Sequence, residues 1–245
     1  GSQSVEESCD MARALLEVGV TTVCCTPHTT EWAQAGDQAS IGRHVEALRA
    51  VLVERDIRLE LQPGAEAHIT PTLAGELKAG RWPTLNGTPY MLLEFPYDYL
   101  PPFYEQVIFE LQASGFRPLI AHPERIGPIV DDPNLLYRLV TRGCLGQLTA
   151  MSLAGGFGPR VRDVSQIMVE NRLVHVVATD AHDAKPGSRL FAIPEARAAA
   201  ARLAGEAAAV ELFDMNPVRI AAGEPVHAPE PLQYRKRFSI LRAFR

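Results

Sequence analysis

The chain has 245 residues and a mass of 26.8 kDa, enough for one large domain with a substantial core. Hydrophobic residues make up 47% of it and charged residues 22%, a composition that excludes a globally disordered chain. The formal net charge is −5, and the first 234 residues carry 19 basic against 29 acidic residues, which argues against a protein that binds nucleic acid through its phosphates.

The cysteines, the apolar runs and the charge of the last residues predict the protein's environment and its division into domain and tail. Four cysteines, at positions 9, 24, 25 and 144, show no paired spacing, so we expect free thiols in a reducing, cytoplasmic environment. No apolar run approaches the ~18 residues that a membrane span needs. Five basic residues fall in the last eleven positions, and we expect a basic tail over 228–245 beside one domain over 1–227.

Predicted helices and strands alternate along the chain. Ser4 and Glu7 form a capping box that predicts a helix from Val5 to about Val18. Apolar or β-branched runs then predict six strands, at 21–26, 59–62, 90–95, 117–121, 144–149 and 173–179. Helices are predicted between and after them, at about 41–53, 72–78, 103–114, 133–142, 161–170 and 194–204, with one or two short helices up to Ala222.

This alternation is typical of parallel strand–helix–strand units. The strands are mostly continuous apolar runs, as expected when helices or other layers cover both faces of the sheet. We therefore predict an α/β fold, and the chain length and the positions of the polar residues favour a closed or nearly closed barrel over an open sheet.

Ionisable side chains follow the carboxyl ends of five of the six predicted strands. They are His28, Glu66, Glu94, His122 and Asp180, with His182 two residues beyond Asp180. All such ends meet at one rim of an α/β barrel, where bound cations would compensate the clustered carboxylates. Mixed imidazole and carboxylate ligands suit manganese, iron or zinc, so the sequence predicts a site for two or more divalent ions that supports phosphoryl transfer.

Two arginines accompany this candidate site. Arg125 lies three residues past His122, and Arg189 lies seven past His182, so both are expected in rim loops. Guanidinium groups bind phosphate oxygens well, which favours a phosphate ester as substrate.

The remaining histidines and one further acid are interpreted as structural or solvent-facing: His44, His68, His175, His227 and Glu124. His68, two residues past Glu66, could instead line the rim, but a structural role is favoured. Glu124 is expected to pair with Arg125 or to hydrogen-bond its loop. A cysteine-based phosphatase mechanism has little support, because no cysteine is followed by an arginine at the spacing Cys-x5-Arg.

The motifs together resemble the PHP (polymerase and histidinol phosphatase) superfamily, and most closely the manganese-dependent bacterial protein-tyrosine phosphatases encoded with capsule and exopolysaccharide genes. The resemblance covers residues 1 to about 217 and rests on five short segments: Thr26-Pro27-His28, Gly64-Ala65-Glu66, Leu93-Glu94-Phe95, Ile120 to Arg125 and Ala178 to His182. The set is specific, although each segment alone is not.

This resemblance implies a distorted (β/α)7 TIM-like barrel with a trinuclear metal site and a metal-bound hydroxide that attacks phosphotyrosine. By match, the metal ligands would be His28, Glu66, Glu94, His122, Asp180 and His182. Arg125 and Arg189 would bind the phosphate. The implied partner is the phosphorylated tyrosine tail of a bacterial kinase that controls polysaccharide export.

One departure from the family pattern concerns the start. The family begins with a strand that carries His-x-His, and Gly1 aligns after that strand, so the first strand is expected to be missing here. We then expect an open seam beside the strand at Thr21, self-association through that edge, one or two weakened metal positions and strongly reduced activity.

Two alternatives stay open at this point. The first is a small-molecule phosphatase, acting for example on histidinol phosphate, which a substrate panel would distinguish. The second is a catalytically inert PHP module that binds a phosphorylated partner, for which metal analysis of the purified protein should find almost no metal.

Overall fold

The computed structural model describes residues 1–32 and 38–235, so the basic residues from Lys236 onward lie outside the described part. Seven short strands are present in that part: β1 Thr22–Cys25, β2 Glu60–Pro63, β3 Glu66–His68, β4 Tyr90–Glu94, β5 Arg117–Ala121, β6 Leu145–Thr149 and β7 Val176–Ala178.

Helices connect and flank these strands. The α-helices are α1 Val5–Glu17, α2 Thr29–Trp32, α3 Gln38–Glu54, α4 Leu73–Lys78, α5 Tyr104–Ala113, α6 Gly127–Asp131, α7 Asn134–Thr141, α8 Ala150–Ala154, α9 Pro159–Glu170, α10 Ile193–Ala204, α11 Glu206–Val210 and α12 Asn216–Ala222. Short 3-10 turns cover Leu85–Gly87, Pro123–Arg125 and Arg189–Ala192, and a π-helical turn covers Glu211–Met215. Among the described residues, no helix is both long enough and apolar enough to span a bilayer.

The first helix begins where the capping box predicts. The Ser4 hydroxyl accepts a hydrogen bond from the Glu7 backbone N–H at 3.1 Å, which satisfies one of the unpaired donors of the first turn. The Glu7 carboxylate accepts from the Gln3 N–H at 2.6 Å, one residue before the cap itself. The capping prediction is therefore confirmed, with a shifted return bond.

All strand pairs are parallel, in the orders β1-β2 and β3-β4-β5-β6-β7. Strand pairing is interrupted at Gly64, between β2 and β3. A Cβ added at Gly64 would lie 3.1 Å from side-chain atoms of both Leu85 and Thr26. Beyond β1, His28 bridges to Glu66, and the Glu66 N–H donates to the Pro27 carbonyl at 3.1 Å. Strands β2 and β3 therefore follow one another along the same side of β1 and its extension, and together they fill one strand position of the sheet. Counted in this way, the seven strands fill the six predicted strand positions.

The outer edges of β1 and β7 face a large cavity. It has a volume of about 1320 Å³ and is lined by both strands, with Val23, Cys24, Val176 and Val177 among the lining residues. In the residues that the structure describes, β1 pairs with β2 and β7 with β6, but the two strands do not pair with each other. The predicted α/β class is confirmed, whereas closure of the barrel is not seen in these residues.

Alternation along the strands separates two apolar layers. Leu92, Leu119 and Val176 belong to an inner cluster, while their strand neighbours Leu93 and Ile120 belong to the large cluster under the surrounding helices. Successive side chains of a strand point to opposite faces, so residues two apart share the inner face. This rule decides which strand-end side chains point into the rim.

The amino-terminal end of the sheet is closed by the segment after α12. Tyr90, which begins β4, donates its hydroxyl proton to the Glu224 carbonyl at 2.7 Å and accepts from the Val226 N–H at 3.2 Å. The buried Asn216 side chain donates to the carbonyls of His175 and His227, at 3.0 Å each. These bonds attach the exit segment to the bottom of the fold.

His175 lies at this structural end, as expected. Its ring is 1% exposed, and Nδ1 accepts a hydrogen bond from the Gly146 N–H at 3.1 Å. Burial lowers the pKa of His175 to about 4, because the apolar surroundings disfavour the charged ring.

We predict that replacing this histidine flattens the acid dependence of stability. The histidine has a pKa of about 6.5 in the unfolded chain and about 4 in the folded chain, so only the unfolded chain binds the proton between these values. The contribution of His175 to stability is therefore full above pH 6.5 and falls by about 3 kcal/mol as the pH drops to 4. In His175→Asn the amide oxygen can still accept from Gly146 without titrating. Urea unfolding from pH 7 to 4 tests this, with the exposed His227→Asn as control; equal slopes in wild type and His175→Asn would contradict it.

Candidate metal centre

The acidic side chains of the rim are placed by strand alternation. Glu66 and His68 lie two apart on β3, and Ala67 between them packs in the outer cluster. In the same way Glu94 follows Leu92 by two residues on β4 and shares its inner face. The parallel register places His68 opposite Glu94 and Glu66 opposite Leu92, so Glu66 and Glu94 lie two positions apart on the inner face of neighbouring strands.

His28, Glu66 and Glu94 form one potential ligand group. His28 Nε2 lies 3.7 Å from Glu66 Oε2 and 3.6 Å from Glu94 Oε1. One ligand atom from each residue lies within 4.8 Å of the other two. Ligands that share an ion at about 2.0–2.2 Å lie roughly 3–4 Å apart, so these separations and this donor set fit a divalent cation.

His122 approaches the same carboxylate from another strand. It directly follows β5, is 2% exposed and adopts a left-handed backbone conformation with φ 33°. Its Nε2 lies 2.8 Å from Glu66 Oε1, so Glu66 faces His122 with one oxygen and His28 with the other. A carboxylate held in this way is suited to bridge two cations.

Electrostatics keep the buried Glu66 ionised. Burial opposes its charge, but the hydrogen bond and the positive charge of His122, together with His28 and His182, outweigh burial and lower the pKa of Glu66. For His122, burial likewise disfavours the charged ring. The hydrogen bond and charge of Glu66 outweigh burial and raise the pKa of His122. The contact therefore shifts the two pKa values in opposite directions, down for Glu66 and up for His122.

A second group surrounds Asp180, which also has a left-handed backbone, with φ 49°. Arg125 Nη1 donates to Asp180 Oδ2 at 3.1 Å, and Arg189 Nη1 donates to the same oxygen. Asp180 Oδ1 lies 3.6 Å from His182 Nδ1. The ring centroids of His182 and His28 are 6.4 Å apart, so this group adjoins the first.

The rim thus gathers every residue that the sequence singled out for it, in two adjoining groups. Around Glu66 lie His28, Glu94 and His122; around Asp180 lie His182, Arg125 and Arg189. The arginines contact a carboxylate that was itself expected to bind metal, an arrangement that the sequence did not reveal.

Three further residues lie at the rim, and sequence reasoning missed two of them. His68 Nδ1 lies 3.3 Å from Glu94 Oε2; its position two residues past Glu66 left a place at the rim open, although a structural role was favoured. The Tyr97 ring packs on His122 at a centroid distance of 5.4 Å and under Arg125 at 5.0 Å. Phe157 lies under both arginines, and its only sequence signal is a loop of flanking glycines.

Glu124 is structural, as expected, but it bonds to the junction of β6 and α8 rather than to Arg125, and the cysteines match their interpretation. The fully buried Glu124 accepts hydrogen bonds from the Thr149 N–H at 3.1 Å and the Ser152 hydroxyl at 2.6 Å, and burial raises its pKa. Burial also raises the pKa of the Cys24 thiol to about 12 and raises that of Cys25, so both stay protonated and are poor nucleophiles at neutral pH.

The chain is similar in sequence to a protein family and to several bacterial phosphatases. A family model described as "Capsular polysaccharide synthesis, CpsB/CapC" matches residues 1–222. Tyrosine-protein phosphatase YwqE of Bacillus subtilis is 38% identical over 185 residues, which cover 76% of this chain and 73% of YwqE. Tyrosine-protein phosphatase CpsB of Streptococcus pneumoniae is 28% identical over 228 residues, covering 90% of this chain and 92% of CpsB.

The fold comparison agrees. A crystal structure from a study of YwqE from B. subtilis and CpsB from S. pneumoniae, described there as metal-dependent tyrosine phosphatases, superposes with a TM-score of 0.92. It is 33% identical in sequence, and the match covers 96% of this chain and 94% of the solved one.

We predict that Glu66→Ala removes tightly bound metal, because it takes away the carboxylate that lies between His28 and His122. Manganese affinity should fall by more than about 100-fold, measured by titration and by elemental analysis of purified protein. The matched control is Glu60→Ala. Glu60 is an exposed glutamate at the start of β2, away from the rim. Unchanged metal content in Glu66→Ala, with intact circular dichroism, would refute the assignment.

Proposed function

The chain belongs to the CpsB/CapC family of capsular polysaccharide synthesis, and we propose that it is a metal-dependent phosphatase that hydrolyses phosphotyrosine in a protein. The observation that carries the proposal is the juxtaposition of the His28, Glu66 and Glu94 group with Arg125 and Arg189. One group suits cations and the other suits phosphate oxygens, and both lie at one rim.

The metal we propose is manganese, held by His28, Glu66, Glu94, His122, Asp180 and His182. A divalent cation in such a site supplies Lewis acidity, which polarises phosphoryl oxygens and lowers the pKa of a bound water. Glu66 supports this assignment because its two oxygens face different imidazoles, as a bridging ligand requires. Asp180 can serve both groups, since Oδ2 faces the arginines while Oδ1 faces His182.

Arg125 and Arg189 bind and orient the phosphate in this proposal. Their side chains are 20% and 24% exposed, so the guanidinium groups are screened less from an anion than surface arginines would be. Both donate to one carboxylate oxygen, which shows that two guanidinium groups can converge on a single anionic atom here. A phosphate dianion presents oxygens of the same kind and stronger charge.

The substrate we propose is the phosphotyrosine tail of a bacterial tyrosine kinase that acts in capsular or exopolysaccharide synthesis, with both proteins meeting in the cytoplasm. The family description and the names of the relatives support this choice. Tyr97 and Phe157 add aromatic surface next to the arginines, which suits an aryl phosphate better than an aliphatic one.

We predict that the protein with added manganese hydrolyses a phosphotyrosine peptide at least about tenfold faster than a phosphoserine peptide of the same sequence, and that a chelator abolishes turnover. Phosphate release measures both. Faster turnover of histidinol phosphate than of the peptide would favour the small-molecule phosphatase. Peptide binding without turnover and without bound metal would favour the inert module.

We also propose weak self-association through the unpaired edges of β1 and β7. Sedimentation velocity should show a concentration-dependent dimer, which Thr22→Lys at the exposed start of β1 should weaken by adding charge at the edge. Thr141→Lys, an exposed threonine at the end of α7, is the control. A monomer at all concentrations would refute the proposal.

A further inference from the structure

A four-residue loop between α8 and α9 presents a single side chain to the rim. Its sequence is Gly155-Gly156-Phe157-Gly158, and the Gly158 N–H donates to the Gly155 carbonyl at 3.0 Å, which closes a tight turn around Phe157. Gly155 and Gly158 have φ values of 95° and 92°, which other residues rarely adopt. A Cβ at Gly156 would lie 2.5 Å from Met151 Cγ, so a larger residue here would force the Met151 side chain to move.

The side chain that this loop presents contacts both rim arginines. The guanidinium carbon of Arg125 lies 5.0 Å from the centroid of the Phe157 ring, and that of Arg189 lies 5.3 Å from it. Both distances are within the range of cation–π attraction. One ring therefore supports two cations, whose mutual repulsion it helps to offset.

Tyr97 differs from Phe157 in this respect. Its ring lies 5.0 Å from the Arg125 guanidinium carbon and packs on His122, but among the described residues no such contact joins it to Arg189. Arg125 thus contacts two aromatic rings, while Phe157 is the ring that the two arginines share.

We propose that Phe157 is a positioning residue that holds Arg125 and Arg189 side by side as one clamp for phosphate oxygens. The inference rests on the proposed function for the identity of the ligand as a phosphate. Arginine has a long side chain with many rotamers. Without such support, an anion that binds both arginines must fix both side chains and lose their conformational entropy. A ring that holds both guanidinium planes before the anion arrives removes part of that entropic loss.

The experiment compares Phe157→Leu, which keeps apolar bulk but lacks the ring, with Phe157→Tyr, which keeps the ring. Binding of inorganic phosphate to the full chain is measured by calorimetry, and KM and kcat are measured on a phosphotyrosine peptide. We expect Phe157→Leu to weaken phosphate binding and raise KM by about tenfold, as two contacts of this kind imply, with a much smaller change in kcat. Phe157→Tyr should stay within about twofold of wild type.

Variants that keep only one of the two arginines test whether Phe157 acts through both of them. In Arg125→Met or Arg189→Met the ring supports one cation, so the added effect of Phe157→Leu should fall to about threefold in each. An undiminished effect in both backgrounds, equal loss in Phe157→Leu and Phe157→Tyr, or wild-type phosphate binding in Phe157→Leu would each overturn the proposal. Absence of peptide turnover in the wild-type protein would instead refute the proposed function, while the phosphate titrations would still decide the role of Phe157.

Discussion

The buried carboxylate of Glu66 is the constraint on which the rest of the rim depends. It is 5% exposed and lies where the extension of β1, strand β3 and the end of β5 meet. A charge removed from water at such a position requires opposite charge close by, and His28 and His122 supply imidazole nitrogens to its two oxygens. The parallel register then sets Glu94 and His68 beside it, so the donor set follows from the strand pairing.

The two ends of the sheet have different roles: the amino-terminal end carries structural hydrogen bonds, and the carboxyl end carries the candidate site. At the amino-terminal end, Tyr90 and Asn216 tie the exit segment to the strands through satisfied hydrogen bonds. At the carboxyl end, His122 and Asp180 occupy the left-handed backbone region, which is uncommon for residues other than glycine, although Asp and His adopt it more often than most. Barrel-like α/β folds place their variable chemistry at this second end.

The sequence predicted the alternation of elements and the strand-end residues because long apolar runs and single polar residues after them are strong signals. It did not predict the break at Gly64 or a separate β3, since a three-residue strand is too short to show a period. The spacing of two residues from Glu66 allowed His68 a place at the rim, but the sequence alone favoured a structural role for it. The contacts of Asp180 with Arg125 and Arg189, and the ring of Phe157 beneath both arginines, depend on loop conformations that local patterns do not specify.

The central claim is that Glu66, His28 and Glu94 share one cation position at the rim. Anomalous diffraction at the manganese edge, from crystals of the full chain grown with manganese, tests it most directly. The account predicts an anomalous peak within bonding distance of a Glu66 oxygen, with His28 and Glu94 as further ligands to the same ion. Well-ordered Glu66, His28 and Glu94 side chains without such a peak, or manganese bound only elsewhere, would contradict it.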